Sequence, residues 1–330
     1  MNKILIVGFG SIGKRHLRIC RKMGYKDFII FVHDRKKIDK ISEENDVLCT
    51  DEINIAFSMN PQFAIICNPT NFHVETAITV LHHNIPILLE KPITNDLEEL
   101  EIFSNEIKKS KLPIMIGFQL RHHPFFIKLK EIINSGELGY PISLSGFVGQ
   151  YLPDWRPERE YSETSSAKEL MGGGVILDLS HEIDIALQIF GPPTNIFSYG
   201  GKYSKLNINT EDTAIISLKH EKGLSSINLN YHERKYIWTN IITCSKGSVV
   251  WDYGENNLSV IDEKGLVKNI DNVPKISRDD LFYNQLDKFR NMVVNGKKSE
   301  IDLLASIQST RVCLLAKESM KKQIPLNFNS

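Results

Sequence analysis

The sequence has few cysteines and no long hydrophobic run. Five cysteines occur in 330 residues, an odd number with no C-x-x-C pair among them. They are Cys20, Cys49, Cys67, Cys244 and Cys313. This argues against a disulfide framework or a zinc site of paired cysteines, and it favours reduced thiols in the cytoplasm. No apolar run approaches the roughly 18–20 residues that span a bilayer, and the short N-terminal run is interrupted at Gly8, which predicts no signal peptide.

A surplus of either charge is also missing, because 40 Lys and Arg residues balance 40 Asp and Glu residues. That balance gives no indication of a nucleic acid or an anionic membrane as a partner. His122 and His123 precede Pro124 with no third ligand evident nearby, so no metal site is predicted. The composition, 42% hydrophobic and 24% charged, is typical of a soluble globular protein, and the length predicts about two domains.

The strongest local signal lies near the N-terminus. Residues 4–7 form a continuous apolar run, as expected of a strand buried on both faces of a parallel sheet. Gly8, Gly10 and Gly13 then follow the G-x-G-x-x-G spacing. The first glycine allows a tight turn, the second lets the backbone approach a pyrophosphate, and the third lets a helix pack closely. The residues predicted to hold a dinucleotide here are Gly8, Gly10, Ser11, Ile12 and Gly13.

An acid follows at the distance that dinucleotide-binding units use. Asp34 ends the second apolar run, 21 residues after Gly13, where about 20 are expected for the carboxylate that binds the ribose hydroxyls. Asp34 would repel a 2′-phosphate, which favours NAD. Arg35, Lys36 and Lys37 follow directly and could accommodate NADP, so that cofactor stays open.

Apolar runs alternate with helix-compatible segments as far as residue 120, and then the pattern changes. Two of the early runs end in Asn68-Pro69-Thr70 and Glu90-Lys91-Pro92, at the strand ends where an open α/β sheet forms its ligand crevice. His73 belongs to the first of these loops. From residue 194 to about 270, short strands separated by turns predict an open, mainly antiparallel sheet, and two helices close the chain.

The predicted fold is therefore α/β with two domains. Residues 1–120 form a Rossmann dinucleotide-binding domain, and residues 121–330 form an α+β domain for substrate binding and oligomerisation. The terminal helices could pack back on the first domain.

A second polar cluster lies in the C-terminal half. After the glycine run at residues 172–174, an apolar helix is predicted as far as Phe190. Asp178, His181 and Asp184, spaced i, i+3 and i+6, would form one polar stripe on it. Two interpretations stay open: an acid/base site, or a capping Asp beside a structural His.

Taken together, these motifs resemble the glucose–fructose oxidoreductase/inositol dehydrogenase (Gfo/Idh/MocA) family. The matching segments are the Gly8–Gly13 loop, Asn68-Pro69-Thr70 with His73, Glu90-Lys91-Pro92, Gly117-Phe118-Gln119-Leu120-Arg121, and the glycine run with Asp178, His181 and Asp184. They run nearly end to end in the family's order. The resemblance implies a dinucleotide-binding domain and a C-terminal domain whose exposed sheet face makes homodimers or homotetramers.

The resemblance also implies roles for individual residues. Lys91 would lie between nicotinamide and substrate, and Asp178 and His181 would be the acid/base pair. Hydride transfer at a carbinol carbon requires a group that exchanges the hydroxyl proton, and histidine suits this near neutral pH. Lys91 would stabilise developing alkoxide charge. Many members of the family have the Asp and His four residues apart, whereas here they are three apart. Because of this departure, the identity of the main base stays open.

Further contacts follow from the same resemblance and from the position of the loops. Glu90 and Gln119 would contact the nicotinamide ribose, and Trp155 with Arg156 would reach the carboxamide. Asn68, Pro69, Thr70 and His73 would line the cofactor. The residues predicted to recognise the substrate are Arg121, His122, Tyr151, Tyr161 and Lys168.

The first functional hypothesis is an NAD(P)-dependent oxidoreductase of a sugar, a sugar nucleotide or a polyol. Trp155-Arg156-Pro157 before the glycines resembles a sub-group that acts on activated sugars for surface polysaccharides. Two alternatives stay open: a glycosidase that uses bound NAD to oxidise C3 transiently, and a non-catalytic dinucleotide-binding protein. A glycosidase would turn over without added NAD and without net formation of NADH.

Overall fold

The computed structural model describes residues 3–329 and divides into two compact units. The first unit comprises residues 3–119 and Ser277–Ile307, and the second comprises Leu120–Ile276 and residues 308–329. The chain therefore leaves the first unit, builds most of the second, and returns before it ends.

The elements are numbered in chain order. The strands are β1 (Ile4–Val7), β2 (Phe28–Phe31), β3 (Leu48–Thr50), β4 (Phe63–Ile66), β5 (Ile87–Leu89), β6 (Ile114–Ile116), β7 (Pro141–Gly149), β8 (Pro193–Gly201), β9 (Thr213–His220), β10 (Gly223–Asn230), β11 (Ile237–Cys244), β12 (Gly247–Asp252), β13 (Asn257–Ile261), β14 (Val267–Asn269) and β15 (Leu326–Asn327). The helices are α1 (Ser11–Lys22), α2 (Ile38–Asn45), α3 (Ile53–Ser58), α4 (His73–His82), α5 (Leu97–Lys109), α6 (Pro124–Ser135), α7 (Val175–Asp178), α8 (His181–Phe190), α9 (Arg278–Asn295) and α10 (Glu300–Lys322). Among the helices of the described part of the chain, none combines the length and the apolar character needed to cross a bilayer.

The first unit is built on a six-stranded parallel sheet in the order β3-β2-β1-β4-β5-β6. All four residues of β1, of β2 and of β4 are buried, as a strand covered on both faces requires. The order reverses between β1 and β4, and this switch point is where doubly wound sheets bind dinucleotides. The predicted Rossmann fold is confirmed.

Helix α9 completes the core of the first unit. Phe282, Leu286, Phe289 and Met292 recur at helical spacing and join the cluster around β1 and β4. At its start, a Ser277–Asp280 capping box satisfies the first amides. Asp279 accepts hydrogen bonds from the guanidinium groups of Arg15 and Arg18 on α1. These contacts explain why Ser277–Ile307 belong to the first unit.

The second unit is built on a nine-stranded sheet in the order β14-β13-β12-β11-β7-β10-β9-β8-β15. The pairs of known register are antiparallel except β7 with β10, which is parallel. Alternate side chains of β9 are buried while Ile215, Ser217 and Lys219 face outward, so one face packs on the core and the other is exposed. The predicted open, mainly antiparallel sheet is confirmed.

The predicted helix from the glycine run to Phe190 is wrong as a single element. It divides into α7 and α8, with a turn at Leu179 and Ser180. There the amide of Glu182 donates to the carbonyl of Leu179 three residues back, so the turn is tighter than an α-helical one. Asp178 consequently ends one helix and His181 begins the next.

Candidate active site

The glycines of the first loop have three different surroundings. Gly8 has a φ of +90°, and a Cβ on it would lie 2.6 Å from the backbone nitrogen of Asn68. A Cβ on Gly13 would lie 2.3 Å from the carbonyl oxygen of Gly8. Gly10 has no atom of the described residues within 4 Å of its Cβ position. It caps α1 without a side-chain hydrogen bond, so open space adjoins the helix amides, as a pyrophosphate requires.

Asp34 lies just beyond the end of β2, at the surface. Its carboxylate accepts hydrogen bonds from the backbone nitrogen of Lys36 (3.2 Å) and from Lys37 Nζ (2.9 Å). The bond from Lys37 lowers the pKa of Asp34, so the group remains a carboxylate at neutral pH. Lys37 is therefore paired with Asp34, while Arg35 is exposed.

The loops that follow β4 and β5 are joined by His73. The ring of this buried residue is 2.9 Å from the carbonyl oxygen of Asn68 through Nε2 and 2.8 Å from that of Pro92 through Nδ1. Burial lowers the pKa of His73. Both ring nitrogens are used inside the protein, so His73 braces the loops that carry Pro69, Thr70 and Lys91.

Three buried oxygens in the loops after β4 and β6 have no hydrogen-bond partner among residues 3–329. They are Asn68 Oδ1, Asn71 Oδ1 and Gln119 Oε1. The Asn68 amide nitrogen donates to Thr76 Oγ1 (2.9 Å), which fixes the orientation of the side chain. Unpaired buried acceptors carry a cost unless a ligand or water donates to them. They fit the hydroxyl and amide donors of a dinucleotide.

Glu90 is positioned by a residue that sequence reasoning missed. His16 Nε2 lies 2.7 Å from Glu90 Oε1, and His16 is fully buried on α1. The other carboxyl oxygen would lie 2.9 Å from a Cβ on Gly117. Lys91 follows immediately, half-buried, and its peptide bond to Pro92 is cis. A signal for His16 was present, because it shares the buried face of α1 with Gly13 and Cys20.

In the second unit, the glycine run makes room for protein atoms. A Cβ on Gly173 would lie 2.2 Å from the carbonyl oxygen of Ser165. Gly174 has a φ of +111°, and its Cβ would lie 2.3 Å from Glu211 Oε1. Glu211 accepts a hydrogen bond from the backbone nitrogen of Ile176 (3.3 Å) and pairs with Lys317 (3.3 Å). Glu211 therefore fixes the start of α7.

Asp178 has a defined partner in Tyr231, which follows β10 directly. The fully buried Tyr231 hydroxyl donates to Asp178 Oδ2 at 2.6 Å. Burial, with the negative charge of Asp178, raises the pKa of Tyr231 well above its usual value, so the phenol stays a donor. The Trp155 ring meets Tyr231 edge to face at 5.3 Å. Trp155 Nε1 is buried with no hydrogen-bond partner among residues 3–329.

The other two members of the predicted stripe have separate surroundings. His181 is buried, and its ring centroid lies 6.3 Å from that of Trp238 on β11. Asp184 accepts two bonds from Arg121, at 2.9 and 2.5 Å, and one from Ser309 Oγ at 2.6 Å. Asp184 therefore belongs to a buried ion pair.

The remaining predicted residues lie in the loops of the second unit. The Arg234 guanidinium lies 3.7 Å above the centre of the Tyr151 ring. The Tyr161 hydroxyl accepts a bond from the backbone nitrogen of Asn207 (3.0 Å). Lys168 is exposed, while His122 and Arg156 are half-buried.

Within residues 3–329, no three or more His, Cys, Asp or Glu side chains are grouped so that they could hold a metal ion.

A doubly wound nucleotide-binding unit, joined in one chain to a unit with an Asp/His pair behind a glycine run, defines the class: an NAD-binding oxidoreductase. The chain belongs to the Gfo/Idh/MocA family. Residues 2–118 match the family model described as "Oxidoreductase family, NAD-binding Rossmann fold", and residues 126–250 match the "GFO/IDH/MocA C-terminal domain".

Individual relatives agree with this assignment. The chain is 27% identical over 239 residues to oxidoreductase YrbE of Bacillus subtilis, covering 70% of this chain and 67% of that protein. It is 25% identical over 276 residues to myo-inositol 2-dehydrogenase of Thermotoga maritima, covering 80% and 79%. Levoglucosan dehydrogenase, solved with NADH and levoglucosan, has the same fold, with a TM-score of 0.88, 17% identity and full coverage of both chains.

Proposed function

We propose that this protein transfers hydride between a nicotinamide dinucleotide and a carbinol or keto carbon of a sugar, a sugar nucleotide or a polyol. The observation that carries the proposal is the Asp178 carboxylate, held by the buried Tyr231 hydroxyl one turn before His181. An acid fixed in this way beside a histidine is suited to moving the proton of a substrate hydroxyl. In this proposal the first unit binds the nucleotide and the second unit binds the substrate.

His181 is the proposed base, and Asp178 is the group that orients it or the substrate. Tyr231 donates its hydrogen to Asp178, so the bond is strongest while Asp178 is an ionised acceptor. A carboxylate is in general a weaker proton acceptor than a neutral imidazole. The arrangement therefore supports His181 as the group that takes the hydroxyl proton.

Lys91 is the proposed electrophilic partner. Its ammonium would hydrogen-bond the reacting oxygen and stabilise the negative charge that develops there. The brace made by His73 on the carbonyl oxygen of Pro92 supports a fixed position for Lys91. Bound NAD accepts or supplies the hydride.

In the first unit, the predicted site residues proposed to contact the cofactor are those with open space beside them or with an unpaired hydrogen-bond acceptor. They are Gly10, Asn68 and Gln119. Asp34 supports NAD over NADP, because its carboxylate would repel a 2′-phosphate. Lys37 reduces that repulsion by pairing with it, so the preference for NAD is expected to be moderate.

The substrate class is proposed from relatives and from the loops. Named relatives act on inositols, and a structural neighbour is named for levoglucosan. Trp155, Tyr151 and Tyr161 in the loops of this chain suit the apolar and hydroxylated faces of a sugar. We propose an activated sugar for surface polysaccharide synthesis as the most specific form of this hypothesis.

The test is a substrate screen. The purified protein with NAD would be mixed with inositols, free sugars and nucleotide sugars, and NADH formation would be followed. Lys91→Met should lower kcat by about 10²–10³-fold and leave the Kd for NAD unchanged. Lys108→Met, on the exposed side of α5, is the matched control. Full activity of Lys91→Met would refute the catalytic assignment.

A double variant tests whether Lys91 and His181 serve one reaction. His181→Gln alone should lower kcat by about 10²–10⁴-fold. Residues of one catalytic set are not additive, so the double variant should be little slower than the slower single variant. Losses that multiply would place the two residues in separate roles. Release of an aglycone from aryl glycosides without added NAD would instead support the glycosidase alternative.

The exposed face of the second sheet is the proposed oligomer interface, with a second copy of this chain as its occupant. One row across the paired strands reads Val250, Ile241, Ser145, Ser226, Ser217 and Phe197. It has no charged member, and Ile241 is 41% exposed. A partly apolar, uncharged row of this kind on an exposed sheet face supports an interface between copies of the chain.

The oligomer proposal is tested by light scattering after gel filtration. Wild type should elute as a dimer or tetramer, and Ile241→Lys should elute as a smaller species. A monomeric wild type would refute it. A cytoplasmic location is proposed as well, and it is supported by the five cysteines, all of which are free thiols.

A further inference from the structure

Glu182 is a fully buried acid in the first turn of α8, next to His181. The side chains that act on its carboxyl group are Trp238 and Asn240, both on β11 and both uncharged. Within residues 3–329, no cation forms an ion pair with it. A buried carboxylate without a cation would be costly. No sequence pattern accounts for an acid at this position. In the same turn Ile183 is apolar, and His181 and Asp184 are already accounted for by the proposed site and the ion pair with Arg121.

The donors and acceptors around Glu182 do not balance if it is ionised. Its Oε1 accepts bonds from Trp238 Nε1 and from Asn240 Nδ2, the latter at 3.3 Å. Its Oε2 and Asn240 Oδ1 are both buried without a donor among residues 3–329. Both oxygens face Gly146 of β7, where a Cβ would lie 2.6 Å from the first and 3.1 Å from the second.

One proton on Oε2 removes the imbalance. We propose that Glu182 is held as a neutral carboxylic acid whose O–H donates to Asn240 Oδ1, and that it thereby acts as a positioning residue for His181. Exchanging the amide nitrogen and oxygen of Asn240 would not avoid the proton, because a carboxylate paired side-on with an amide always leaves one oxygen facing another.

The pKa of Glu182 agrees with that geometry. Burial raises it to about 7, and the bonds from Trp238 and Asn240 oppose the rise. Three residues pack against the carboxyl group, Gly146 from β7 and Trp238 and Asn240 from β11. None of the three titrates. On its own helix the titratable neighbours are His181 and Asp184, and Asp184 is paired with Arg121.

Glu182 reaches His181 through Trp238. The indole N–H is anchored on Glu182, while the indole ring lies 6.3 Å from the His181 ring at an interplanar angle of 31°. Loss of the anchor would leave the indole beside His181 held only by ring contacts such as that with Tyr253, whose centroid lies 4.5 Å away. Ionisation would have a second effect, because a negative charge next to His181 favours the imidazolium form, which cannot accept a proton. This inference rests on the proposed role of His181 as base.

The protonation state is tested by infrared difference spectroscopy of the whole protein, wild type minus Glu182→Gln. At pH 6 the difference should contain the C=O stretch of a protonated carboxylic acid, and above pH 8 this band should give way to carboxylate bands. Glu211→Gln is the matched control: burial also raises the pKa of this glutamate, but its pairing with Lys317 opposes the rise and favours the carboxylate, so its removal should leave the acid band intact. Absence of the band from wild type at pH 6 would overturn the proposal.

The positioning role is tested by kinetics across pH. Glu182→Leu, which cannot anchor Trp238, should lower kcat at least about tenfold, and Glu182→Gln should restore most of that loss. In Glu182→Gln the acid limb of the kcat/KM profile should move to lower pH, since no negative charge can form beside His181. A uniform change at every pH would indicate a structural role only and would overturn this part.

The two tests separate this inference from the proposed function. A fully active His181→Gln would refute the proposed function, whatever the infrared spectrum shows. A missing acid band would refute the neutral Glu182, whatever His181→Gln does. If Glu182→Leu fails to fold, the spectrum and the profile of Glu182→Gln decide the question.

Discussion

The two units hold their functional residues in different ways. In the first unit, the loops at the strand ends leave room, with an open position at Gly10 and unpaired acceptors on Asn68 and Gln119. In the second unit, side chains from distant strands fill the space, as Glu211 does beside Gly174 and Tyr231 beside Asp178. The predicted site residues of the first unit lie in short sequence motifs. Those of the second unit depend on contacts between residues that are distant in sequence.

The largest expected effect tests the crowding around the glycine run of the second unit, residues 172–174. Gly174→Ala should lower the free energy of unfolding by about 2–5 kcal/mol, because it combines a φ of +111° with a Cβ 2.3 Å from Glu211 Oε1. Urea denaturation measures the loss. Gly191→Ala is the control, since its φ of +74° and ψ of −174° are also favourable only for glycine, while no described atom beyond its chain neighbours lies within 4 Å of its Cβ position, and it should cost about 1–3 kcal/mol. Equal losses would show that crowding by Glu211 is not the cause.

The next effect concerns Glu182 and pH. Its pKa in the folded protein is about 7 against an ordinary value of 4.5, so the folded state binds the proton more tightly than the unfolded state. That contribution to stability is complete below pH 4.5 and is lost as pH rises to 7. Relative to Glu182→Gln, wild type should lose about 3 kcal/mol of unfolding free energy between pH 5 and 8. A pH-independent difference between the two proteins would contradict the burial argument.

A smaller effect tests the bond that fixes Asp178. Tyr231→Phe removes the hydrogen bond to Asp178 Oδ2 with little change in volume, and kcat/KM should fall roughly 10–100-fold. The Kd for NAD should not change, because Tyr231 lies outside the nucleotide-binding unit. Unchanged kinetics would mean that Asp178 does not need this partner.

The smallest effect on stability is expected in the first unit. Gly10→Ala should leave the unfolding free energy within about 0.5 kcal/mol of wild type, because its φ of −76° suits alanine and no described atom lies near its Cβ position. The added methyl group occupies space for the pyrophosphate, so the Kd for NAD should rise about tenfold. Gly24→Ala is the reverse control: its φ of +92° should cost stability while NAD binding stays normal. A large loss of stability in Gly10→Ala would break the contrast between the units.

The same contrast explains which features could be predicted from the sequence. Strand runs, glycine spacing and Asp34 are local patterns, and the six-stranded sheet with its following helices was predicted from them. The His16–Glu90 contact spans 74 positions, Tyr231–Asp178 spans 53 and Trp238–Glu182 spans 56. No spacing rule joins residues so far apart, so the partners of the predicted site residues were missed.

The turn at Leu179 and Ser180 was missed for a related reason. Helical periodicity continues across it, and Val175, Ile183 and Ala186 are all buried. The break between α7 and α8 consists of the hydrogen bond from the Glu182 amide to the Leu179 carbonyl and a non-helical backbone at Leu179. Periodicity reports which face is buried, and it is insensitive to a single tightened turn.

The return of the chain to the first unit affects how the protein is made. The Phe282 ring contacts His16 and the Phe289 ring contacts Phe63, so the core beneath the nucleotide loop includes side chains translated after most of the second unit. During translation, the part of the N-terminal sheet that α9 covers stays without its partner until residue 292 has left the ribosome. The core of the first unit is therefore begun first and completed late, after most of the second unit has been synthesised.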